Sequence, residues 1–345
     1  MSPVTNLPQN LRFPVLVADI GGTNARFAIV ENPDSETHFC GQVSTSAFAS
    51  LQDAITECVI PEVIQKPRSA IVAVAGPVTG DKIPLTNAPW VIEPQQVIAA
   101  LGLSSMIVVN DFEAQALALP VLDETSLIKL GGGTVQSQSS KFVLGPGTGL
   151  GAAAMLYSNS KWIPVPGEGG HVEIGPVSPE EYAVWSFIER KGGRIGAEQI
   201  ICGSGLLRLS RAVLTADRIE RTFAKPADVA VAAEQGDKAA QKVLRLFASA
   251  LGRVSGDFAL TTLARGGVYL AGGIAPKLAA WLDDGHFRAS FEAKAPHEAI
   301  MQSIPTFIVK HDNPALEGLA AYARNPIGYL LELNGRLWHA PQYAD

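Results

Sequence analysis

The chain has 345 residues, 47% hydrophobic and 17% charged, with a net charge of −6 and a pI near 5.6, the balance of a well-cored globular protein and not of a disordered one. That acidic balance excludes a dedicated binder of nucleic acid or of anionic membrane, although it leaves room for a local pocket that meets a phosphate. Cys40, Cys58 and Cys202 lie far apart with no CxxC, which supports neither a disulfide framework nor a cysteine zinc site and fits a reducing cytoplasm.

Met1 to Arg12 is polar and lacks a basic region followed by an apolar one, so it reads as a loose tail and not as a secretory leader. After Pro14, β-prone apolar residues run from Val15 to Ala18 and resume from Phe27 to Val30. The segment Asp19-Ile20-Gly21-Gly22-Thr23-Asn24-Ala25-Arg26 is therefore expected at a hairpin tip. Glycines admit an anion close to backbone N–H groups, and Thr23 and Asn24 add donors, which suits a nucleotide's phosphates; an ordinary Gly-Gly turn is the plainer alternative. Thr86-Asn87, before Trp90, suits a sugar pocket or simply a turn.

The strand pattern Met106 to Val109 ends in Asn110-Asp111-Phe112 and passes into a helical pattern from Glu113 to Leu119. Open α/β sheets place ligand-contacting residues at such strand ends, and a carboxylate at 111 can take a proton from a substrate hydroxyl. Asn110 with Glu113 also resembles a capping box, so helix capping accounts for the same residues. A boundary between two halves is expected within Pro120 to Gly133, where this helix ends and three glycines follow.

The second half opens on an echo of the first. A strand from Lys141 to Leu144 leads into Gly145-Pro146-Gly147-Thr148-Gly149-Leu150-Gly151, and Ala152 to Tyr157 resumes as a strand, so a glycine-tipped hairpin occurs once in each half, as in a duplicated domain. Gly147 to Ala152 also satisfy the dinucleotide pattern GxGxxA, with Glu168 at a fitting distance for a ribose. Ser158-Asn159-Ser160 and another strand follow at once, however, leaving too little chain for a crossover helix. No GxxxxGK[ST] loop is present. The uncharged run from Phe142 to Ser160 is too broken by glycine, proline, serine and asparagine to read as a transmembrane helix.

Gly167-Glu168-Gly169-Gly170-His171-Val172-Glu173 gathers acids and an imidazole among glycines. Glu168 and His171 have the acceptors and donor to bind vicinal hydroxyls, while a flexible loop is the alternative. His171 and Glu173 lie two apart without an HExxH pattern, which does not favour a metal. Ser178-Pro179-Glu180-Glu181 opens a helix expected to close at Gly192-Gly193. Glu198, before Cys202-Gly203-Ser204-Gly205, reads locally as an acid on a solvated face. Helices are expected over 227–234 and 237–264. Val268 to Ile274 reads as a buried strand ending in Gly272-Gly273, where a flat base can lie against backbone, and Asn313-Pro314 opens a helix from Ala315 to Arg324.

Taken in order, D-I-G-G-T-N-A-R at 19–26, L-T-N-A-P-W at 85–90, N-D-F at 110–112, G-P-G-T-G-L-G at 145–151, P-G-E-G-G-H-V at 166–172, G-A-E at 196–198, L-A-G-G-I at 270–274 and H-D-N-P at 311–314 closely resemble bacterial glucokinases, from roughly Phe13 to Arg324. The resemblance implies the α/β actin-like ATPase (ribonuclease-H-type) fold, two α/β domains around a central cleft. It implies a small domain at 13–121 completed by C-terminal helices at about 313–333, a large domain at 122–312, and tails at 1–12 and 334–345. The implied activity is transfer of the γ-phosphate of ATP to the 6-hydroxyl of D-glucose. Ala18, Asp19, Ile20, Gly21, Gly22, Thr23 and Asn24 match the first ATP-phosphate segment, Gly147, Thr148 and Gly149 the second, and Gly272 and Gly273 lie near adenosine. Asn110, Glu168, His171 and Glu198 match glucose-hydroxyl ligands, with Asn87 a further sugar contact; Asp111 matches the catalytic base, and Asp19 faces Mg²⁺ through water. Glucose and ATP are the implied partners, without nucleic acid or membrane, in a cytoplasmic homodimer.

The related ROK sugar kinases carry a cysteine-rich zinc motif after the Gly-His segment. Here Val-Glu-Ile-Gly-Pro follows His171 and no cysteine occurs before Cys202, so no zinc and a non-ROK type are expected. A ROK-type repressor needs an N-terminal helix-turn-helix, and the dozen residues before the first strand do not hold one. A kinase for fructose or mannose and a catalytically silent sugar sensor are the alternatives; the intact Asp111 argues against silence. No function is assigned to Asn325 to Asp345.

Overall fold

A computed structural model describes residues 11–85 and 88–341 of the chain. In chain order its strands are β1 (Val15–Ile20), β2 (Asn24–Val30), β3 (Thr37–Ser44), β4 (Ser69–Val74), β5 (Ile83–Pro84), β6 (Val91–Ile92) and β7 (Ser105–Asn110), followed by β8 (Leu127–Gly131), β9 (Lys141–Pro146), β10 (Leu150–Ser158), β11 (Lys161–Gly167), β12 (Val268–Leu270), β13 (Thr306–Val309) and β14 (Leu337–His339). The α-helices are α1 (Leu51–Cys58), α2 (Pro94–Leu101), α3 (Asp111–Ala118), α4 (Pro179–Trp185), α5 (Gly203–Ala216), α6 (Pro226–Glu234), α7 (Lys238–Thr262), α8 (Ala279–Leu282), α9 (His286–Glu292), α10 (Glu298–Ser303) and α11 (Pro314–Arg324). Two compact units emerge, one from residues within 1–122, 157–166 and 312–345, the other from 123–156 and 167–311.

In the first unit the sheet order is β14-β7-β4-β1-β2-β3. β1, β4 and β7 run parallel and in register, so that Ile20, Val74 and Asn110 stand side by side at their carboxyl ends. Val15 to Ala18, Ala70 to Val74 and Met106 to Val109 are all buried, the unbroken apolar runs of a parallel sheet covered on both faces. One set, including Leu16, Val72, Met106 and Val108, packs with residues of α1 and α2 and with Trp90. α3 and α11 pack against each other and against β4 and β1. Their backbones meet at Gly318, where a Cβ would lie 2.1 Å from the Ala114 carbonyl oxygen.

Residues 334–345, expected as a tail, contribute a strand: β14 pairs antiparallel with β7, Trp338 is buried, and its indole N–H donates to Asp81 Oδ1 at 2.7 Å. Three residues carry too short a pattern to read as a strand, and their conformation is set by the unpaired edge of β7. The helices expected to about 333 end at Arg324, with a single 3₁₀ turn at 326–328 beyond.

In the second unit the order is β10-β9-β12-β13-β8, with β12 parallel to both β9 and β13 and the β9–β10 hairpin antiparallel. α7 forms one buried helix of 25 residues; α9 approaches it at Gly252, where a Cβ would lie 2.1 Å from the Phe287 carbonyl oxygen. α4 opens as expected on the Ser178 cap but stops at Trp185, well short of Gly192-Gly193. Those glycines both have positive φ and turn the chain between Lys191 and Arg194, which pair as an isolated antiparallel bridge; they form a tight turn and not a helix stop. Among the described residues no helix is long and apolar enough to cross a membrane.

Gly318→Ala forces a methyl group into a backbone oxygen and is expected to cost about 3 kcal/mol, the upper range for overpacking, whereas Gly175→Ala, with open space around it, should leave stability unchanged. Urea or thermal unfolding of the two variants checks this.

Candidate active site

In the first unit β1 ends on the hairpin tip, and register places Asp19 opposite Arg26, whose Nη1 donates to Asp19 Oδ2 at 3.1 Å. Arg26 Nε is in turn held by Gln42 Oε1 at 2.9 Å. Ala18 and Ile20 are buried, so they can offer a ligand only backbone. The tip is braced from outside: Thr45 donates its N–H to Thr23 O at 3.0 Å and its hydroxyl to Gly22 O at 3.1 Å, while Gly21 N–H closes on Asn24 O at 2.9 Å. Asn24 Nδ2 donates to Thr23 Oγ1 at 3.0 Å, leaving the exposed Thr23 fixed at the rim.

β7 passes into α3 without a loop. Asn110 caps the helix, its Oδ1 accepting the N–H groups of Phe112 at 2.9 Å and Glu113 at 3.3 Å, and its Nδ2 donates to Gly76 O at 3.2 Å. Asp111 opens the helix and accepts the Phe112 N–H at 2.9 Å. Burial pushes its carboxyl up to about 6, opposed by the Phe112 N–H, and the Asp19 charge raises it further. Asp19 is likewise raised by burial, with Arg26 opposing. Asp19, Gly21 to Thr23, Asn110 and Asp111 thus gather at the carboxyl ends of adjacent parallel strands, where such sheets bind ligands.

In the second unit Gly147 to Gly149 form the tip of the β9–β10 hairpin, closed by Gly147 N–H on Gly149 O at 2.8 Å. Gly203, opening α5, donates its N–H to Gly147 O at 2.9 Å. Gly272, at φ 79°, passes so close to Pro146 that a Cβ would lie 2.8 Å from its oxygen, which brings Gly272-Gly273 to the same tip. Glu198 Oε2 accepts the Leu150 N–H at 2.9 Å. Gly170 lies against Leu150, where a Cβ would be 1.9 Å from the carbonyl oxygen, so the 3₁₀ turn at 169–171 is seated on β10. His171 Nε2 and Glu168 Oε2 stand 3.7 Å apart with both side chains exposed. Glu168, His171, Glu198, Gly147 to Gly149 and Gly272-Gly273 are therefore brought together within this unit. Asn87 lies outside the described residues.

Arg26, Thr45 and Arg336 contact the candidate residues or the turns that carry them, and the motif analysis gave none of them a role. For Arg26 the signal was present, since a hairpin with Ile20 opposite Ala25 sets Asp19 opposite Arg26. Thr45 and Arg336 reach the site only through tertiary pairing. Among the described residues no group of three or more His, Cys, Asp or Glu is placed to hold a metal by itself. Asp19, at the hairpin tip, suits a magnesium ion that arrives with phosphates, since such an ion takes one or two protein carboxylates and keeps several waters.

The glucokinase family model matches residues 16–326. The chain is 49% identical over 341 residues to the glucokinase of Mesorhizobium japonicum, covering 99% of this chain and all of that one. Among solved structures, a glucokinase from an Antarctic psychrotroph superposes with a TM-score of 0.82 at 31% identity, covering 90% of this chain and 99% of the other. A ROK hexokinase from Thermus thermophilus, at 19% identity and a TM-score of 0.63 over 91% of this chain and 99% of its own, shares the fold.

Gly149→Ala sets a methyl group 2.6 Å from Glu198 Oε2 and should displace that carboxylate from the Leu150 N–H. Loss of a hydrogen bond to a charged group corresponds to about tenfold faster exchange of the Leu150 amide, measured by hydrogen–deuterium exchange.

Proposed function

The chain belongs to the glucokinase family and has its actin-like ATPase fold, and we propose that Asp111 is the base through which it transfers the γ-phosphoryl group of ATP to the 6-hydroxyl of D-glucose. The observation that carries this role is a half-buried carboxylate directly after β7, held by the Phe112 N–H and pushed up by desolvation to about 6. At neutral pH such a group is mostly ionised and still basic enough to accept a hydroxyl proton as the phosphorus–oxygen bond forms.

A sugar hydroxyl is a weak nucleophile and the γ-phosphate is anionic, so alignment and charge neutralisation are the main tasks of the protein. Asn110, Glu168, His171 and Glu198 hold the glucose hydroxyls in this scheme, with Asn87 a further contact. Carboxylate and amide oxygens accept, and the imidazole of His171 both donates and accepts. The backbone of Ala18, Ile20, Gly21, Gly22, Thr23 and Asn24 faces phosphate, as do Gly147, Thr148 and Gly149, and Gly272 and Gly273 lie along the adenosine. Asp19 would hold Mg²⁺ through water, and the ion, bound with the nucleotide, would supply positive charge to the phosphoryl oxygens.

We assign 13–121 with about 313–333 to a small domain and 122–312 to a large one; the two compact units support the boundaries near 122 and 312, whereas 157–166 groups with the first unit. The lack of cysteines between His171 and Cys202 supports a zinc-free, non-ROK type. A cytoplasmic homodimer acting on small molecules alone completes the assignment, on family resemblance.

Purified protein with Mg²⁺ should release ADP fastest with glucose and ATP when glucose, fructose and mannose are compared with ATP or polyphosphate as donor; no turnover with any hexose would sink the enzyme assignment. Asp111→Asn should lower kcat at least about a hundredfold while glucose binding persists. Because the folded pKa of Asp111 lies above its unfolded value, its ionised form destabilises the native state above about pH 6, so the same variant should melt no lower than wild type at neutral pH. The wild-type kcat/KM for glucose should fall with an acid limb near pH 6, about tenfold per unit below it, seen in a pH–rate profile.

A further inference from the structure

The family match ends at residue 326, yet the chain beyond it returns to the helix that carries Asp111. Arg336 precedes β14 and is joined to β7 twice, its carbonyl accepting the Val108 N–H at 3.0 Å and its Nε donating to Val108 O at 3.3 Å. Its Nη2 donates to Glu113 Oε2. Glu113 stands in the first turn of α3 with 1% of its surface exposed, and its carboxylate is stabilised by Arg336 and by the backbone N–H of Asn110. Asn110 caps the same helix by accepting the Glu113 N–H at 3.3 Å. Glu113 and Asn110 thus meet across the first turn of α3, with Asp111 between them in the chain. Tyr322 of α11, buried, faces the same ion pair.

We propose that Arg336 is a positioning residue for phosphoryl transfer: through Glu113 and the backbone of Asn110 it fixes where the Asp111 carboxylate stands. This rests on Asp111 being the base. Without Arg336, the Glu113 carboxylate is left buried without its cation; it then either takes a proton, which weakens its hold on the Asn110 N–H, or draws water toward the start of α3. Either response loosens the junction of β7 and α3 while leaving the nucleotide turns of the second unit intact. A base displaced by a fraction of an ångström loses rate in the chemical step more than it loses substrate affinity.

The test uses the full chain with Arg336→Met, Arg336→Lys and the double variant Glu113→Gln/Arg336→Met. kcat and both KM values are measured per folded molecule, well below each melting point. Arg336→Met should lower kcat about tenfold with KM for glucose and ATP within about twofold, as for a misplaced catalytic group. The double variant, which leaves no buried charge to compensate, should recover most of the rate. Arg336→Lys keeps the charge but not the two-point hold, and should fall between wild type and Met, which keeps the test open if Met does not fold. A lowered melting point with unchanged kcat in the Met and Lys variants would make Arg336 a fold clamp only and overturn the proposal, as would a folded double variant no faster than Arg336→Met. An inactive wild type would instead remove the kinase assignment itself, so the two failures are told apart.

Discussion

The shared carboxyl end of β1, β4 and β7 is the constraint on which the first unit depends. These strands are buried on both faces, so their backbone groups must pair along their whole length, and polar residues can appear only where the strands stop. The register sets the stops level at Ile20, Val74 and Asn110, which puts the hairpin tip and the start of α3 at one edge of the sheet. A slip of one residue between β4 and β7 would turn Met106 and Val108 out of the cluster they share with Val72 and Val74, and would carry Asp111 away with them. Packing of ordinary apolar side chains thereby specifies the place of the Asp111 carboxylate.

The second unit meets the same demand with glycine. At Gly170 no side chain fits against the Leu150 carbonyl, at Gly272 none fits against Pro146, and at Gly149 none fits beside the Glu198 carboxylate. The glycines of Gly167 to Glu173 are thus partly contact residues. They seat the segment on β10 by close approach, and Glu168 and His171 project as exposed side chains from a fixed backbone. A loose loop, the plainer account of that composition, does not match this packing.

Much of this was legible in the chain. The two glycine-tipped hairpins, the β7–α3 junction and the helices α6, α7 and α11 follow from apolar runs, caps and prolines that act within a few residues. The end of α4 was misplaced because Gly192-Gly193, which look like a helix stop, serve a bridge between Lys191 and Arg194. β14 and Arg336 were illegible for a different reason: their partners Ile107, Val108 and Glu113 lie more than two hundred residues earlier, and nothing local marks the tail as a strand. At Asn110 to Glu113, capping and catalysis stood as competing accounts of the same residues. The structure has Asn110 capping the helix that Asp111 opens, so the capping account is correct and does not displace the other.

The pattern of charge pairing separates the three acids at this end of the sheet. Asp19 has Arg26 across the hairpin and Glu113 has Arg336 from β14, whereas among the described residues no ion pair is made to Asp111. Burial raises all three, but only for Asp111 does no neighbouring cation oppose it, and backbone and side-chain amides are its sole support. A carboxylate raised from the ordinary range to about 6 costs on the order of 3 kcal/mol of native stability at neutral pH. At Asp19 and Glu113 the neighbouring arginine opposes the rise without cancelling it. Arg336 pairs with Glu113 at the strand–helix junction and Arg26 pairs with Asp19 at the hairpin tip, and of the three acids Asp111, which gains a proton in the proposed scheme, is the one without a counter-charge.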